Sequence, residues 1–499
     1  MTYSKKMVLR FLIITIWLPI NFAAITQTNV QKGRPNILII IADDLGWEDI
    51  EPYGNVDVKT PHLAQLSSEG MKFYGMSTAT AMCAPTRQQI LTGMFPVRNG
   101  AYPNHSWSYQ GVKSLPQYLR PLGYRVGISG KRHFGPPSSY PFKAVGDDGE
   151  ITGNDNLKAI QQFIGQDNDQ PFALYVASHQ THKPWTKGNP ANFNPDSLIV
   201  PPYLVDTKVT RKELTEYYAE IEYLDQQVGK ILDVLKKSGK ADNTLVIFTS
   251  EQGPQFPFAK WTCYENGLKT GFLVRWPGKV EPNTINHALT QYVDVVPTLL
   301  EAAGGNPGII HTGRKDALGN HGFDGKSFLS ALLDNKQSFR KYVYGIHTTM
   351  GILNDRDFYP IRSISDGRYK YIKNLNSAVE FSNITKPMDP ILYPNPKQTP
   401  WWVDTGLMQS WFQAGELNSD IASRAKFYYK RPAIEFYDLE KDPYELNNLA
   451  NNLKYTEKIA ELDDQLTAWM KQQGDKGLLT EMNAMSRKAN LIQAQAPEE

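Results

Sequence analysis

A chain of 499 residues exceeds the roughly 250 to 300 residues at which a single hydrophobic core stops growing, so two domains are expected. Apolar residues at 41% and charged residues at 21% suit a folded globular protein, and a net charge of +2 leaves no excess of positive charge for a nucleic-acid partner. The two cysteines, Cys83 and Cys263, allow one disulfide at most, which excludes a disulfide scaffold.

Residues 1–24 have the layout of a secretory signal peptide: Lys5, Lys6 and Arg10 precede the apolar run FLIITIWLPI, and the small residues Ala23 and Ala24 follow. That run is shorter than the ~20 apolar residues a membrane span needs, so export to the periplasm or medium, without stable membrane insertion, is expected. NILIII (36–41) reads as a buried parallel strand that runs into Asp43 and Asp44. CAPTRQQILTG (83–93) places a rare cysteine in a polar stretch, where a structural cysteine is out of place. YRVGIS (124–129), FALYVA (172–177), TLVIFT (244–249) and FLVRW (272–276) repeat the strand pattern. Between FALYVA and TLVIFT, Leu214, Tyr217, Ile221, Leu224, Val228, Ile231 and Leu235 recur at spacings of three and four, which predicts a helix from Lys212 to Lys237.

An α/β fold follows for residues 33–335: a large mixed, mostly parallel sheet flanked by helices. Over residues 336–485 the short strands YVYGIH, PIRSIS and YKYIKNL and an amphipathic helix from Tyr455 to Lys471 predict a smaller C-terminal domain, an antiparallel sheet with a helix. The tail 486–499 is expected to be disordered.

Ligands bind such sheets beyond the carboxyl ends of the strands. Polar groups collect at those ends: Asp43-Asp44, then Gly130-Lys131-Arg132-His133, then Ser178-His179-Gln180-Thr181-His182, then Ser250-Glu251-Gln252-Gly253. One capping Asp or loop His is ordinary; four clusters on one edge predict an active site. Asp43, Asp44, Glu251 and Gln252 offer only oxygen, which suits Ca²⁺ or Mg²⁺, whereas the histidines lack the spacing of a zinc motif.

Cys83, Pro85, Arg87, Leu91, Thr92 and Gly93 fit the signature CxPxR followed by LTG, and NILIIIADDLG, GKRHFG, YVASHQTHKPW, YYAEIEYLDQQVGKIL, KWTCYENG and YDLEKDPYELNNLA extend the match along the chain. On these segments the chain resembles the formylglycine-dependent sulfatases of the alkaline phosphatase superfamily, in their polysaccharide or sulfamidase-like branch. The resemblance implies that a formylglycine-generating maturation enzyme oxidises Cys83 to Cα-formylglycine (3-oxoalanine). The hydrated aldehyde then carries two hydroxyls, one to attack sulfur and one to expel sulfate. It also implies Ca²⁺, held by Asp43, Asp44, Glu251, Gln252 and the modified residue 83. Arg87 would steady the site, Lys131 and Lys260 would neutralise sulfate oxygens, His182 would protonate the departing oxygen, and His133 would take a proton from the second hydroxyl. His179 is the alternative acid. Cys263 is expected to be a packed free thiol.

Many family members carry Asp-Asn where this chain has Glu251-Gln252. The donor set survives with longer side chains, which favours calcium over magnesium because calcium tolerates looser geometry. Substrate contacts are expected from Lys131, His182 and Lys260 and, in the C-terminal domain, from His347 and Arg362. Trp107, Tyr109, Trp185, Trp401 and Trp402 offer faces for sugar rings. The expected substrate is a sulfated oligosaccharide from an algal polysaccharide such as ulvan or carrageenan, or from a glycosaminoglycan. The alternatives are a phosphodiesterase or phosphonate hydrolase of the same superfamily, and a non-catalytic protein that binds sulfated glycans.

Overall fold

The computed structural model describes residues 1–2, 33–166, 169–349, 358–383 and 406–488. Nearly all of the signal-peptide segment, Trp401, Trp402 and the tail from residue 489 lie outside the described residues. The chain divides into two compact units, Met1–Gly33 and Arg34–Glu499, and the described strands and helices belong to the second.

In chain order the strands are β1 (Asn36–Ala42), β2 (Met71–Phe73), β3 (Met76–Ser77), β4 (Arg125–Gly130), β5 (Lys143–Ala144), β6 (Phe172–Ala177), β7 (Thr244–Ser250), β8 (Phe272–Arg275), β9 (Thr284–Asn286), β10 (Thr290–Gln291), β11 (Val343–His347), β12 (Ile361–Ser365), β13 (Tyr369–Asn374) and β14 (Ile434–Asp438). Eight of them form one sheet in the order β5-β4-β6-β1-β7-β8-β2-β9. β1 pairs in parallel with β6 on one side and β7 on the other, and β4 and β5 continue the parallel run. Only β8 runs against its neighbours β7 and β2. The large, mostly parallel mixed sheet expected from the sequence is therefore present.

The alternation of side chains along β1 explains why its whole run is apolar. Leu38, Ile40 and Ala42 join one core with Leu214, Tyr217, Ile221, Leu224 and Val228 of the helix Lys208–Lys237. Ile37, Ile39 and Ile41 join a core on the opposite face with Ile90 and Leu91 of the helix Cys83–Thr92 and Val296 and Leu299 of the helix Val295–Ala302. Each face is covered, so neither register position of the strand can be polar. The long helix begins four residues earlier than its apolar spacing predicts, because the Thr207 side chain caps it by accepting from the Thr210 amide at 3.1 Å.

A second sheet, β11-β12-β13-β14, is antiparallel throughout. The helix Thr456–Gln473 covers it with Leu462, Leu466 and Trp469, which share a core with Ile346, Ile364, Tyr371 and Phe436. Trp469 stacks on Tyr344 with ring centroids 4.8 Å apart. No described helix is long and apolar enough to cross a membrane.

Candidate active site

Parallel pairing of β4, β6, β1 and β7 brings their carboxyl ends to one edge, and each end delivers part of the site. Asp43 and Asp44 follow β1, Lys131 and His133 follow β4, His182 follows β6, and Glu251 and Gln252 follow β7. Asp44 (φ 55°) and His133 (φ 49°) hold left-handed backbone, which costs a non-glycine residue about 1–3 kcal/mol and is often found where a side chain must be aimed.

Cys83 opens the helix Cys83–Thr92, in which every residue is buried. A buried helix this polar needs internal partners. Gln88 donates to the Ser106 carbonyl at 2.8 Å, Thr86 donates to the Thr80 carbonyl at 2.6 Å, and the Gln89 side-chain oxygen accepts from the Ala79 amide at 3.1 Å. That network fixes residue 83 at a helix N-terminus, a position that favours anions.

Ligand atoms of Asp43, Asp44, Cys83 and Glu251 all lie within 4.8 Å of one another. Gln252 joins them: its Nε2 donates to Asp44 Oδ1 at 2.6 Å and to Glu251 Oε1 at 3.0 Å, and sits 3.7 Å from Cys83 Sγ. Three cations close around this group. Lys131 pairs with Asp43. Lys260 Nζ lies 2.5 Å from Asp44 Oδ2. Arg87 Nε lies 2.6 Å from Glu251 Oε2, while Arg87 Nη1 donates to the Lys131 carbonyl at 3.1 Å. Asp43, Asp44, Arg87, Glu251, Gln252 and Lys260 are essentially inaccessible. The side chains of Lys131 and His182 keep 13% and 29% of their exposure, so both reach the surface of the site.

The residues fit a hard cation. Asp43 Oδ1 and Gln252 Oε1 are buried and accept no hydrogen bond from the protein, an expensive state that a calcium-like ion relieves. The buried set of carboxylates and cysteine can hold a metal ion.

Burial raises the Asp43 carboxyl, but Lys131, a hydrogen bond with Glu251, His182 and Arg87 outweigh it and hold Asp43 well below the usual range. For Asp44 burial wins over Lys260, and for Glu251 burial wins over Arg87, so both are raised. Burial also raises the Cys83 thiol, but Lys260 and Lys131 pull it well below its ordinary value. The two histidines move in opposite directions. Burial pushes His133 down. At His182 burial and Lys260 act the same way, yet Asp44 and Asp43 prevail and raise it. His182 Nδ1 donates to the Lys183 carbonyl at 2.5 Å, which leaves Nε2 as the inward end, 3.7 Å from Asp44 Oδ2. His179 instead bonds the Asp148 carbonyl at 2.6 Å in an exposed position.

His347 and Arg362 do not join this cluster. Both are buried in the antiparallel sheet, where Arg362 forms a two-pronged pair with Asp475 at 2.5 and 3.1 Å and donates to the His347 carbonyl at 3.1 Å. The expectation that they reach substrate is therefore corrected: the guanidinium is committed to an internal carboxylate, and the imidazole has no exposed surface. The loop aromatics are also structural in part. Trp185 is 9% exposed and packs on Tyr217 and Phe256, and Tyr109 lies between Arg314 and Arg487. Cys263 is buried and free.

One neighbour escaped the sequence reading. His105 Nδ1 lies 3.0 Å from His133 Nε2. It belongs to no strand end, so the rule that located the other groups had no purchase on it.

The fold and the site define a protein with a buried, charge-dense centre at a sheet edge whose carboxylates could hold a cation, and the comparisons with known proteins name its kind. Residues 35–305 match the sulfatase family model, and residues 253–398 match the model for the C-terminal region of N-sulphoglucosamine sulphohydrolase. An ulvan-active sulfatase of Formosa agariphila is 31% identical over 465 residues, covering 90% of this chain and 82% of the relative. Human N-sulphoglucosamine sulphohydrolase is 29% identical over 481 residues, covering 88% and 90%. A solved structure of a protein in complex with its substrate D-glucosamine-2-N,6-O-disulfate superposes with a TM-score of 0.63 at 18% identity, covering 89% and 99%. The chain belongs to the sulfatase family and is a sulfuric ester hydrolase.

Proposed function

We propose that the enzyme removes sulfate from saccharides of a sulfated polysaccharide, with Cys83 oxidised to formylglycine and Ca²⁺ bound beside it. The observation that carries this reading is the position of Cys83: at a helix N-terminus, within 4.8 Å of three carboxylates, and flanked by histidines whose proton affinities are shifted in opposite directions. The names of the two curated relatives, an ulvan-active sulfatase and a sulphoglucosamine sulphohydrolase, support a saccharide substrate.

Asp43, Asp44, Glu251, Gln252 and the oxidised residue 83 would hold the calcium ion, which would supply the positive charge that makes a hydroxyl nucleophilic and polarises a sulfate oxygen. Hydrated formylglycine supplies two hydroxyls on one carbon, one for attack and one for release. Lys260, buried against Asp44, and Lys131, at the mouth, bind and orient the sulfate oxygens. His182 is the acid: Asp44 and Asp43 raise its proton affinity, and the proton on Nε2 goes to the departing sugar oxygen. His133 is the base: burial lowers its proton affinity, which favours the neutral ring that takes the proton of the second hydroxyl. Arg87 fixes Glu251 and the Lys131 loop.

Residues 33–335 form the catalytic domain and residues 336–485 the C-terminal domain in this reading, and residues 1–24 direct export to the periplasm or medium. A formylglycine-generating enzyme is then a required partner. The test is product analysis with protein matured by such an enzyme. Free sulfate released from sulfated oligosaccharides more efficiently than from an aryl sulfate supports the proposal, together with peptide mass showing the aldehyde at residue 83. Full turnover by the unmodified thiol, or a preference for phosphonate or phosphate diesters, overturns it.

A further inference from the structure

His105 is exposed, yet the chain around it is held from three directions. The Asn104 side-chain oxygen accepts from the Ala84 amide at 3.4 Å, in the first turn of the Cys83 helix. Gln88, one turn on, accepts from the Ser108 amide at 2.8 Å. The indole of Trp107 covers Gly135, two residues past His133, so closely that a Cβ there would fall 2.4 Å from the ring. His105 itself adopts φ 54°, left-handed backbone that costs a non-glycine residue about 1–2 kcal/mol. Strain at a solvent-facing residue needs a compensating contact, and the contact it secures is the 3.0 Å approach of its Nδ1 to Nε2 of His133. The rings lie 4.9 Å apart at 44°, so they meet through these nitrogens and not by stacking. On the far side of the His133 ring, Nδ1 is buried and has no hydrogen-bond partner, and Cys83 is a neighbour of the imidazole.

We propose that His105 is the positioning residue for sulfate release: it accepts the Nε2 proton of His133 at its own Nδ1, which leaves His133 Nδ1 unprotonated and turned towards residue 83. Asn104 Nδ2 lies 3.3 Å from His105 Nε2; turning this amide over presents its oxygen to the proton that His105 then carries there, in exchange for the 3.4 Å contact with the Ala84 amide. This role rests on the two-hydroxyl chemistry proposed for residue 83. In the release step the hydroxyl proton passes to His133 Nδ1, the O–H electron pair closes the aldehyde, and the carbon–oxygen bond to sulfate breaks with its pair leaving on sulfate.

The test compares matured wild type with His105→Ala, His105→Gln and His133→Ala. Slower release alone lowers kcat and KM together and leaves kcat/KM unchanged, because sulfur transfer precedes it. His105→Ala is expected to lower both by about ten- to a hundredfold, the loss found when a partner that orients a functional histidine is removed. Peptide mass is expected to show sulfate retained on residue 83 during turnover, and the melting temperature to stay close to wild type. His105→Gln, whose amide oxygen can accept the same proton, is expected to recover most of the rate. A fall in kcat/KM to match kcat, or retained sulfate in His133→Ala but none in His105→Ala, overturns the role of His105. Retained sulfate in neither variant overturns the two-hydroxyl chemistry beneath it, and this role with it.

Discussion

Removing Arg87 tests the electrostatics of the site most directly. The side chain is fully buried, and it is the only basic group within ion-pair distance of Glu251 among the described residues, at 2.6 Å, while its Nη2 lies 3.9 Å from Asp43 Oδ2. Arg87→Ala therefore leaves a carboxylate in the interior without its partner, a change that costs about 3–5 kcal/mol in comparable buried pairs. The Lys131 carbonyl also loses its Nη1 donor, which adds about 1 kcal/mol. Glu251→Gln removes the stranded charge, so the double variant is expected to lose less than the sum of the singles, by an amount within the roughly 0.5–3 kcal/mol of directly coupled sites. Urea unfolding of the four proteins in chelator gives these differences. Repeated with saturating calcium, the Arg87→Ala loss is expected to shrink, because the ion restores positive charge next to Glu251. A loss under about 1 kcal/mol, the range of an exposed pair, would refute the reasoning, as would a strictly additive cycle.

Chelation is expected to abolish turnover and calcium to restore it, and Asp43→Ala and Gln252→Ala are each expected to weaken calcium binding measured by calorimetry, since each removes an oxygen that the protein leaves unpartnered. His182→Ala is expected to lose most activity on a sugar sulfate and least on an activated aryl sulfate, whose leaving group needs no proton; equal losses would count against the acid role. Because His133 is pushed below and His182 above the ordinary histidine value of 6.5, kcat is expected to fall in acid as His133 becomes protonated and at alkaline pH as His182 loses its proton, and His182→Ala should lose the alkaline limb on the aryl substrate. Asp49 is buried and pushed up to about 7 from 3.8, with Tyr217 donating to it at 2.8 Å. A raised carboxyl stabilises the fold less as pH rises from the unfolded to the folded value, by about 4 kcal/mol over that interval at 1.36 kcal/mol per pH unit, so Asp49→Asn is expected to gain on wild type between pH 4 and 7 in urea unfolding.

What could be read from the chain was whatever parallel topology places without further information. Once NILIII, YRVGIS, FALYVA and TLVIFT are recognised as strands of one sheet, their carboxyl ends must share an edge, and Asp43, Lys131, His182 and Glu251 come together by register alone. His105 has no such address. It arrives on a loop whose position depends on Asn104 meeting the Ala84 amide and on Gln88 meeting Ser108, contacts between residues 20 apart that no periodicity announces. Arg362 shows the opposite error. In sequence it is a charged residue beside turns, but its partner Asp475 is 113 positions away, and only the packing of the C-terminal helix over β12 turns it inward. The aromatics fail for the same reason: Trp185 reads as a loop residue until Tyr217 and Phe256 are brought against it.

The charges of the site are arranged so that none of its parts is complete alone. Asp43, Asp44 and Glu251 are matched by Lys131, Lys260 and Arg87, one cation to each carboxylate, in a volume from which water is largely excluded. A matched set has little net pull on an anion. A divalent ion would give these six groups a surplus of two positive charges, before the proton on His182 is counted, which a departing sulfate dianion would offset better than the ester that enters with a single negative charge. The site is then better matched to the charge that develops at the leaving bond than to the ground state, the condition under which fixed charges accelerate a reaction instead of merely binding its substrate. The uneven burial of the two lysines follows the same logic. Lys260, at 1% exposure, is a fixed part of the interior, while Lys131 keeps 13% at the mouth, where an anion first meets the cluster. Lys131 is also tied to Arg87 through its own carbonyl, so the lysine at the mouth is joined through the backbone to the group that holds Glu251, and neither can shift without disturbing the other.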